Sequence, residues 1–212
     1  MAEMRTVTGI EMQKRDAQRI SIFLDGEFAF GLHQDVLLES GIARGDRLSE
    51  ERIEAILALE QKRRAKEKAL RLLSVRSRSR KELADRLRQA KFSPEAIEYT
   101  LGEMERLGFL NDGDFAQAWG RNRTATRPAG AFMLRQELRR KGVAEEDIEK
   151  GLQAAFRESS EAEVARELAI RRKQTLAALP EEKARKRLQD FLLRRGFGWD
   201  LVSELMEEWE RL

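Results

Sequence analysis

The chain has 212 residues, of which 41% are apolar and 37% charged, and it carries a formal net charge of +3. This length can bury a core, but the high charge and the 7% aromatic content favour thin helical layers over one large globule. The absence of cysteine excludes disulfides, thiolate metal sites and cysteine nucleophiles. No run approaches the roughly 18 apolar residues that a membrane span needs, and no apolar signal core is evident. We therefore expect a cytoplasmic protein without a membrane partner.

The N-terminal segment carries a β pattern that the rest of the chain lacks. Residues 19–32 alternate apolar and polar side chains around Asp25-Gly26, a pair typical of a tight hairpin turn. Residues 6–12 are a candidate third strand, and residues 34–40 a short helix that ends at Gly41. The pattern predicts a small β-hairpin-containing domain over residues 1–48.

A long helix is predicted to follow this domain. Ser49 is a candidate N-cap, and apolar side chains recur at helical spacing as far as Val75. The helix either runs without interruption, which would make it about 39 Å long at 1.5 Å per residue, or breaks near Lys62. We assign residues 49–64 to a helical connector that acts as a rod or a hinge.

One apolar spacing, of 4, 5, 5 and 4 residues, occurs three times in the remainder of the chain. Each copy is typical of two short amphipathic helices joined by a turn, and a further helix precedes each pair. The positions are Leu83, Leu87, Phe92, Ile97 and Leu101; Leu134, Leu138, Val143, Ile148 and Leu152; and Leu188, Leu192, Phe197, Val202 and Met206. The copies are offset by 51 and then 54 residues. This internal repetition predicts a tandem array of helical units.

The predicted fold is therefore mainly α, with three tandem three-helix repeats behind the small N-terminal domain. We place the repeats at residues 65–111, 112–158 and 159–212. A unit of three short helices cannot bury its apolar face alone, so neighbouring units must stack.

The sign of the charge changes within each repeat. The first two helices of each unit are basic: residues 62–91 hold 13 basic and 3 acidic side chains, residues 121–141 hold 7 and 1, and residues 166–197 hold 10 and 4. The third helix is acidic in every case. A solvated surface with pairs of side chains four residues apart would account for some of this pattern. Its threefold recurrence favours a basic face that suits a polyanion or an acidic protein groove.

The candidate partner-binding or nucleic-acid-binding residues are basic side chains that avoid the leucine positions of the first two repeats. They are Arg76, Arg78, Arg80, Lys81, Arg86, Arg121, Arg123, Arg135, Arg139 and Arg140. Lys91 and Lys141 rank lower because a lysine beside a turn can cap helix carbonyls instead.

The sequence gives little support for a catalytic or metal-binding site. His33 is the single histidine and has no evident partner, so a helix start or a surface position is a better interpretation than a general base. Asp112 and Asp114 precede an apolar helical pattern, which favours helix capping over metal ligation. No phosphate-binding loop is present. We expect no enzymatic activity, no cofactor, no metal and no small-molecule substrate.

Several motifs resemble the RecX family, bacterial regulators of the RecA recombinase. The matching residues are Ala69 to Ser74 with Arg76, Ser79, Glu82 and Leu83; Leu107 to Asp112 with Phe115 and Ala116; and Gly130, Leu134, Glu137, Leu138 and Lys141 to Val143. The hairpin is similar to the N-terminal extension of longer members, and the third repeat matches mainly through Leu192, Gly196 and Phe197. Asn111 stands where an acid is common in the family.

The resemblance implies a curved helical array that lies in the groove of a RecA filament on single-stranded DNA. There it would lower the ATPase, strand-exchange and co-protease activities of the filament, and so act in DNA repair, recombination and the SOS response. RecA and single-stranded DNA within the filament are the implied partners, and we expect a monomer. Two alternatives stay open: a nucleic-acid-binding array that acts without a recombinase, and an adaptor with an enzymatic N-terminal domain. The missing nucleophiles argue against the second.

Overall fold

The structure, a computed structural model, describes residues 4–14 and 16–212. In this part of the chain, four strands and ten α-helices occur. They are β1 (Met4–Gln13), β2 (Asp16–Leu24), β3 (Glu27–His33), α1 (Gln34–Ser40), β4 (Arg47–Ser49), α2 (Glu50–Val75), α3 (Arg80–Gln89), α4 (Pro94–Arg106), α5 (Asp112–Thr126), α6 (Ala131–Arg140), α7 (Glu145–Ala155), α8 (Glu161–Gln174), α9 (Glu181–Arg194) and α10 (Trp199–Glu207). The predicted mainly helical fold with an N-terminal β region is confirmed.

The strands form one antiparallel sheet in the order β3-β2-β1-β4. The predicted hairpin joins β2 to β3 through Asp25 and Gly26, whose φ angles of 52° and 91° suit a tight turn. The candidate third strand is present as β1. Strand β4 was not predicted, because its three residues are too few to show an alternating pattern; it pairs with the start of β1.

Helix α2 runs from Glu50 to Val75 without interruption, so the alternative break near Lys62 does not occur. Its first turns contribute Ile53 and Ile56 to the apolar core of the sheet. Farther along, Ala65 and Ala69 are buried where α2 packs on α4. One helix therefore serves both the sheet and the first repeat. The part of the chain that the structure describes forms two compact units, which fall within residues 1–76 with 83–109 and within residues 77–82 with 110–212.

The repeated apolar positions form the cores of the helical units. Of the fifteen positions in the three copies, all but Phe92 and Met206 are buried. In α10, Leu205 rather than Met206 is buried beside Val202, because positions three and four residues along a helix share one face. The cores of the second and third repeats lie in α5–α7 and α8–α10.

Side-chain caps set several helix starts. His33 is the N-cap of α1, and its Nδ1 accepts a hydrogen bond from the backbone N–H of Asp35 at 3.1 Å. The N-cap of α5 is Asn111. The prediction that Asp112 or Asp114 caps this helix is therefore wrong, since both residues lie in its first turn. Asp112 instead accepts from the backbone N–H of Arg80, the first residue of α3, at 2.7 Å.

Candidate partner-binding surface

Basic residues of the first repeat meet the turn between α6 and α7, a region that we call the first joint (residues 77–82 and 139–142). The Ser79 hydroxyl donates to the carbonyl of Lys141 at 2.6 Å, and Lys81 Nζ donates to the carbonyl of Arg140 at 3.0 Å. Gly142 has a φ of 78°, and a Cβ there would lie 2.7 Å from the Lys81 Cβ. The joint therefore brings the segment with Lys81 against the turn with Arg140.

A second joint (residues 123–133 and 191–196) repeats this geometry between the second and third repeats. Gly130 donates its backbone N–H to the carbonyl of Arg195 at 3.0 Å. Gly196 has a φ of 81°, and a Cβ there would lie 2.5 Å from the backbone nitrogen of Met133. By the repeat offsets, Gly130 corresponds to Ser79, Arg195 to Lys141 and Gly196 to Gly142. In both joints, therefore, the backbone carbonyl at the same repeat position, Lys141 or Arg195, accepts a hydrogen bond from the preceding repeat.

Arg123 belongs to an internal ion pair. Its side chain is 12% exposed, and its Nη2 and Nε donate to the Glu137 carboxylate at 2.9 and 3.0 Å. Trp119 Nε1 donates to the same carboxylate at 3.1 Å. A partner could reach this guanidinium only if these bonds were broken, so the geometry favours a structural role for Arg123.

Arg135 and Arg139 on α6 face acidic residues of α7. Arg135 pairs with Glu149 and, at 3.4 Å, with Glu145, while Arg139 Nη2 lies 3.0 Å from Glu145. Part of the charge segregation seen in the sequence is thus neutralised between the basic second helix and the acidic third helix of the repeat. The two arginines remain partly open to solvent, since their side chains are 30% and 49% exposed.

The other candidates are exposed or half-buried. Arg76, Lys81, Arg86, Arg121 and Arg140 are exposed, and Arg78 and Arg80 are half-buried. Arg76 and Arg86 belong to the first compact unit, and the remaining eight candidates to the second. Arg121 lines two adjoining clefts of about 490 and 510 Å³.

Four family models match the chain, each on its own part of the fold. The RecX N-terminal domain matches residues 5–49, and the first, second and third RecX three-helix domains match residues 65–104, 111–152 and 159–206. Together these ranges cover well over half of the chain. The chain belongs to the RecX family. RecX proteins are described as regulatory, which agrees with the expected lack of enzymatic activity.

Named RecX relatives align along most of the chain. The regulatory protein RecX of Bacillus subtilis strain 168 is 31% identical over 208 residues, which cover 98% of this chain and 78% of that protein. The RecX protein of Amycolatopsis mediterranei strain U-32 is 38% identical over 149 residues, which cover 70% of this chain and 85% of that protein.

Solved RecX structures share the fold. A crystal structure of regulatory protein RecX is 28% identical, has a TM-score of 0.75, and covers 96% of this chain and 99% of that chain. The crystal structure of RecX from Lactobacillus salivarius is 21% identical, has a TM-score of 0.64, and covers 73% of this chain and 99% of that chain, a likeness of fold alone.

Two findings concern other kinds of site in this chain. Over residues 4–14 and 16–212, no helix combines the length and the apolar character needed to cross a membrane. In the same described residues, no group of three or more His, Asp or Glu side chains is arranged to hold a metal ion.

Sequence reasoning missed two basic residues of the second joint, Arg127 and Arg195. Arg195 Nη1 donates to the carbonyl of Pro128 at 3.1 Å, and its guanidinium lies 5.1 Å from the centre of the Phe191 ring. Burial, followed by the positive charges of Arg127 and Arg123, holds the pKa of Arg195 below its ordinary value. The signal that could have found this residue is the repeat offset, which aligns Arg195 with Lys141.

Proposed function

We propose that this chain regulates homologous recombination by binding RecA filaments on single-stranded DNA and lowering their ATPase, strand-exchange and co-protease activities. The observation that carries the proposal is the match of all four RecX domains, each to its own range of residues. The name of the relatives, regulatory protein RecX, supports a regulatory role with RecA as the partner.

The exposed cations of the first joint suit such a partner. A nucleoprotein filament presents phosphates and acidic side chains, and a cationic surface both attracts it and releases its counterions on binding. Lys81 and Arg140 are exposed and lie together, because the Lys81 ammonium is bonded to the Arg140 backbone. We propose that Lys81, Arg140 and the neighbouring Arg78 contact the filament, and that Arg135 and Arg139 contribute as members of their ion pairs with α7.

The test is a titration of the chain into RecA filaments on single-stranded DNA while ATP turnover is followed. We expect turnover to fall as the chain is added, and an Arg140→Glu variant to need a higher concentration for the same effect. Arg44→Glu is the matched control, because it reverses one exposed charge in the N-terminal domain. Unchanged turnover at saturating chain would contradict the proposed function. Equal behaviour of the two variants would contradict the role of the first joint.

We further propose that the chain acts in the cytoplasm as a monomer. The absence of cysteine supports a reducing compartment. Light scattering coupled to size-exclusion chromatography measures the oligomeric state directly, and a dimer mass at working concentration would contradict this part of the proposal.

A nucleic-acid-binding array that acts without a recombinase is the second candidate function. The guanidiniums of the second joint favour it, because they can bind phosphate without a protein partner. Capture of the chain on bare single-stranded DNA and on DNA coated with RecA separates the two candidates. Equal capture on both, together with unchanged RecA turnover, would favour the stand-alone function.

A further inference from the structure

The two joints differ in how the basic residue of the turn is neutralised. In the first joint, Lys141 Nζ lies 2.6 Å from the Glu82 carboxylate. The corresponding basic residue in the second joint is Arg195, and the residue that corresponds to Glu82 is Met133. In the described part of the chain, no carboxylate forms an ion pair with Arg195. The second joint therefore keeps the cation of the first joint without its counterion.

Two further guanidiniums lie beside Arg195. Arg123 donates to the carbonyl of Arg127, and Arg195 donates to the carbonyl of Pro128, so both side chains converge on one short loop segment. Arg127, which starts that segment, is exposed. Burial lowers the pKa of Arg195 most, and the positive charges of Arg127 and then Arg123 lower it further. Glu137 pairs with Arg123, whereas no carboxylate in the described part of the chain pairs with Arg127 or Arg195, whose like charges act on each other.

Like charges that are held together by the fold destabilise it, unless an anion binds between them. Guanidinium groups are suited to this task because their planar forks donate two parallel hydrogen bonds to the oxygens of a phosphate. The backbone carbonyls of Arg127 and Pro128 hold Arg123 and Arg195 in place, so these two side chains would lose little freedom when an anion binds.

We propose that Arg127 and Arg195 form an oxyanion site that binds a phosphate of a single-stranded nucleic-acid backbone, with Arg123 as a positioning residue. The inference rests on the proposed function for its biological setting and deepens it by naming the ligand at the second joint. Phe132, in the first turn of α6 directly after this segment, is 66% exposed. An exposed aromatic ring beside a cationic site favours nucleic acid over an acidic peptide, because bases stack on such rings.

The test measures binding of a fluorescein-labelled oligothymidylate to the full chain by anisotropy, across a series of salt concentrations and without recombinase. Arg127→Ala should weaken binding about tenfold, as expected for loss of a charge-assisted hydrogen bond. It should also flatten the plot of log affinity against log salt by about 0.7 for one lost phosphate contact. The control is Arg187→Ala, which removes an exposed cation from α9 two turns before Arg195 and should leave the slope unchanged.

A second variant tests the same site without removing an arginine. Met133→Glu recreates the acid found at Glu82 in the first joint, so it should neutralise Arg195 and weaken oligothymidylate binding as Arg127→Ala does. Circular dichroism melts verify that each variant is folded, and Arg127→Ala decides the matter if Met133→Glu does not fold. Slopes and affinities for Arg127→Ala equal to those of the parent would overturn the proposal, as would an equal loss in Arg187→Ala.

Two further probes distinguish other anions. If oligoglutamate or inorganic phosphate binds in a manner that depends on Arg127, while oligothymidylate binding does not, the site serves a protein or a free phosphate and the proposal fails. Because no recombinase is present, this result does not depend on RecA. A chain that binds oligothymidylate through Arg127 but leaves RecA turnover unchanged would contradict the proposed function and support the site.

Discussion

At the scale of single residues, Gly130 and Gly196 determine how closely two repeats approach. A Cβ on Gly130 would fall on the carbonyl oxygen and carbon of Gly196, and Gly196 itself has a φ of 81° that side chains rarely adopt. The same turn position in the first repeat is Lys91, which tolerates a φ of 63°. Glycine is therefore required at position 130 by the close approach of the Gly196 backbone, and at position 196 by the turn as well as by the approach of Met133.

We expect Gly130→Ala to destabilise the chain by about 1–3 kcal/mol, the usual cost of forcing an extra carbon into a packed site. Gly102→Ala is the matched control, because Gly102 lies inside α4 with no atom near the added Cβ. That substitution should stabilise α4 by about 1 kcal/mol, since alanine is the better helix former. Urea denaturation of both variants measures the two effects. A Gly130→Ala variant as stable as the parent would show that the second joint opens readily.

Individual carboxylates form ion pairs with some of the candidate basic residues, and the sequence reveals these pairs only in part. The charge composition of the second repeat showed a basic second helix and an acidic third helix. The pairing of Arg135 with Glu149, however, depends on how α6 packs on α7. The ion pair of Arg123 with Glu137 joins residues fourteen positions apart, a distance that no local pattern reports.

At the scale of helices and strands, the sequence predicted those elements whose formation depends on residues close together in the chain. The 4, 5, 5, 4 spacing predicted the helix pairs because each helix buries one face, and the Asp25-Gly26 turn predicted the hairpin because its backbone angles suit those residues. Strand β4 was missed because its pairing with β1 joins distant segments. The continuity of α2 could not be predicted, since its buried face passes from the sheet to α4 along its length.

Helix α8 begins with a capping box whose stability should depend on pH. The Ser160 backbone N–H and hydroxyl donate to the Glu163 carboxylate at 2.7 and 2.9 Å, and Ser160 Oγ accepts from the Glu163 N–H at 3.3 Å. The backbone hydrogen bond, then the hydroxyl, holds the pKa of Glu163 below its ordinary 4.5. The carboxylate therefore stabilises the fold above about pH 4.5, and this contribution is lost as the pH falls through the lower folded-state value.

Glu163→Gln should lower the melting temperature at neutral pH, because glutamine keeps an acceptor but loses the charge near the helix N-terminus. The difference from the parent should shrink as the pH falls through the folded-state pKa of Glu163. Thermal melts at a series of pH values measure this, with Glu167→Gln, one turn farther along α8, as the control for loss of a surface charge. A difference that stays constant into acid would mean that the carboxylate form of Glu163 adds nothing to the cap.

At the scale of the whole molecule, the sheet and the first helical repeat share α2, but the buried residues of the sheet do not extend into that repeat. The last buried residue of the sheet core is Ile56, with Leu59 packed against it, whereas Ala65 and Ala69 are buried in the part of α2 that packs on α4. Between them, Glu60 is buried and accepts from Arg19 Nη1 and the His33 N–H, both at 2.9 Å. Glu60 therefore fixes α2 to the sheet, and no residue after it belongs to the core of the sheet.

A chain that begins at Ala65 should therefore keep its helical repeats folded and still lower RecA ATP turnover at saturation, with weaker binding than the full chain. Residues 1–64 hold 10 basic and 12 acidic side chains, so the deleted part would add affinity through protein contacts rather than phosphate contacts. Circular dichroism should show a loss of helix no larger than that of α1 and the deleted part of α2. ATP turnover of RecA filaments at increasing concentrations of the short chain then gives both affinity and maximal effect. A folded short chain that leaves turnover unchanged at saturation would place the inhibitory contacts in the N-terminal domain, and a short chain that loses most of its helix would show that the sheet supports the repeats.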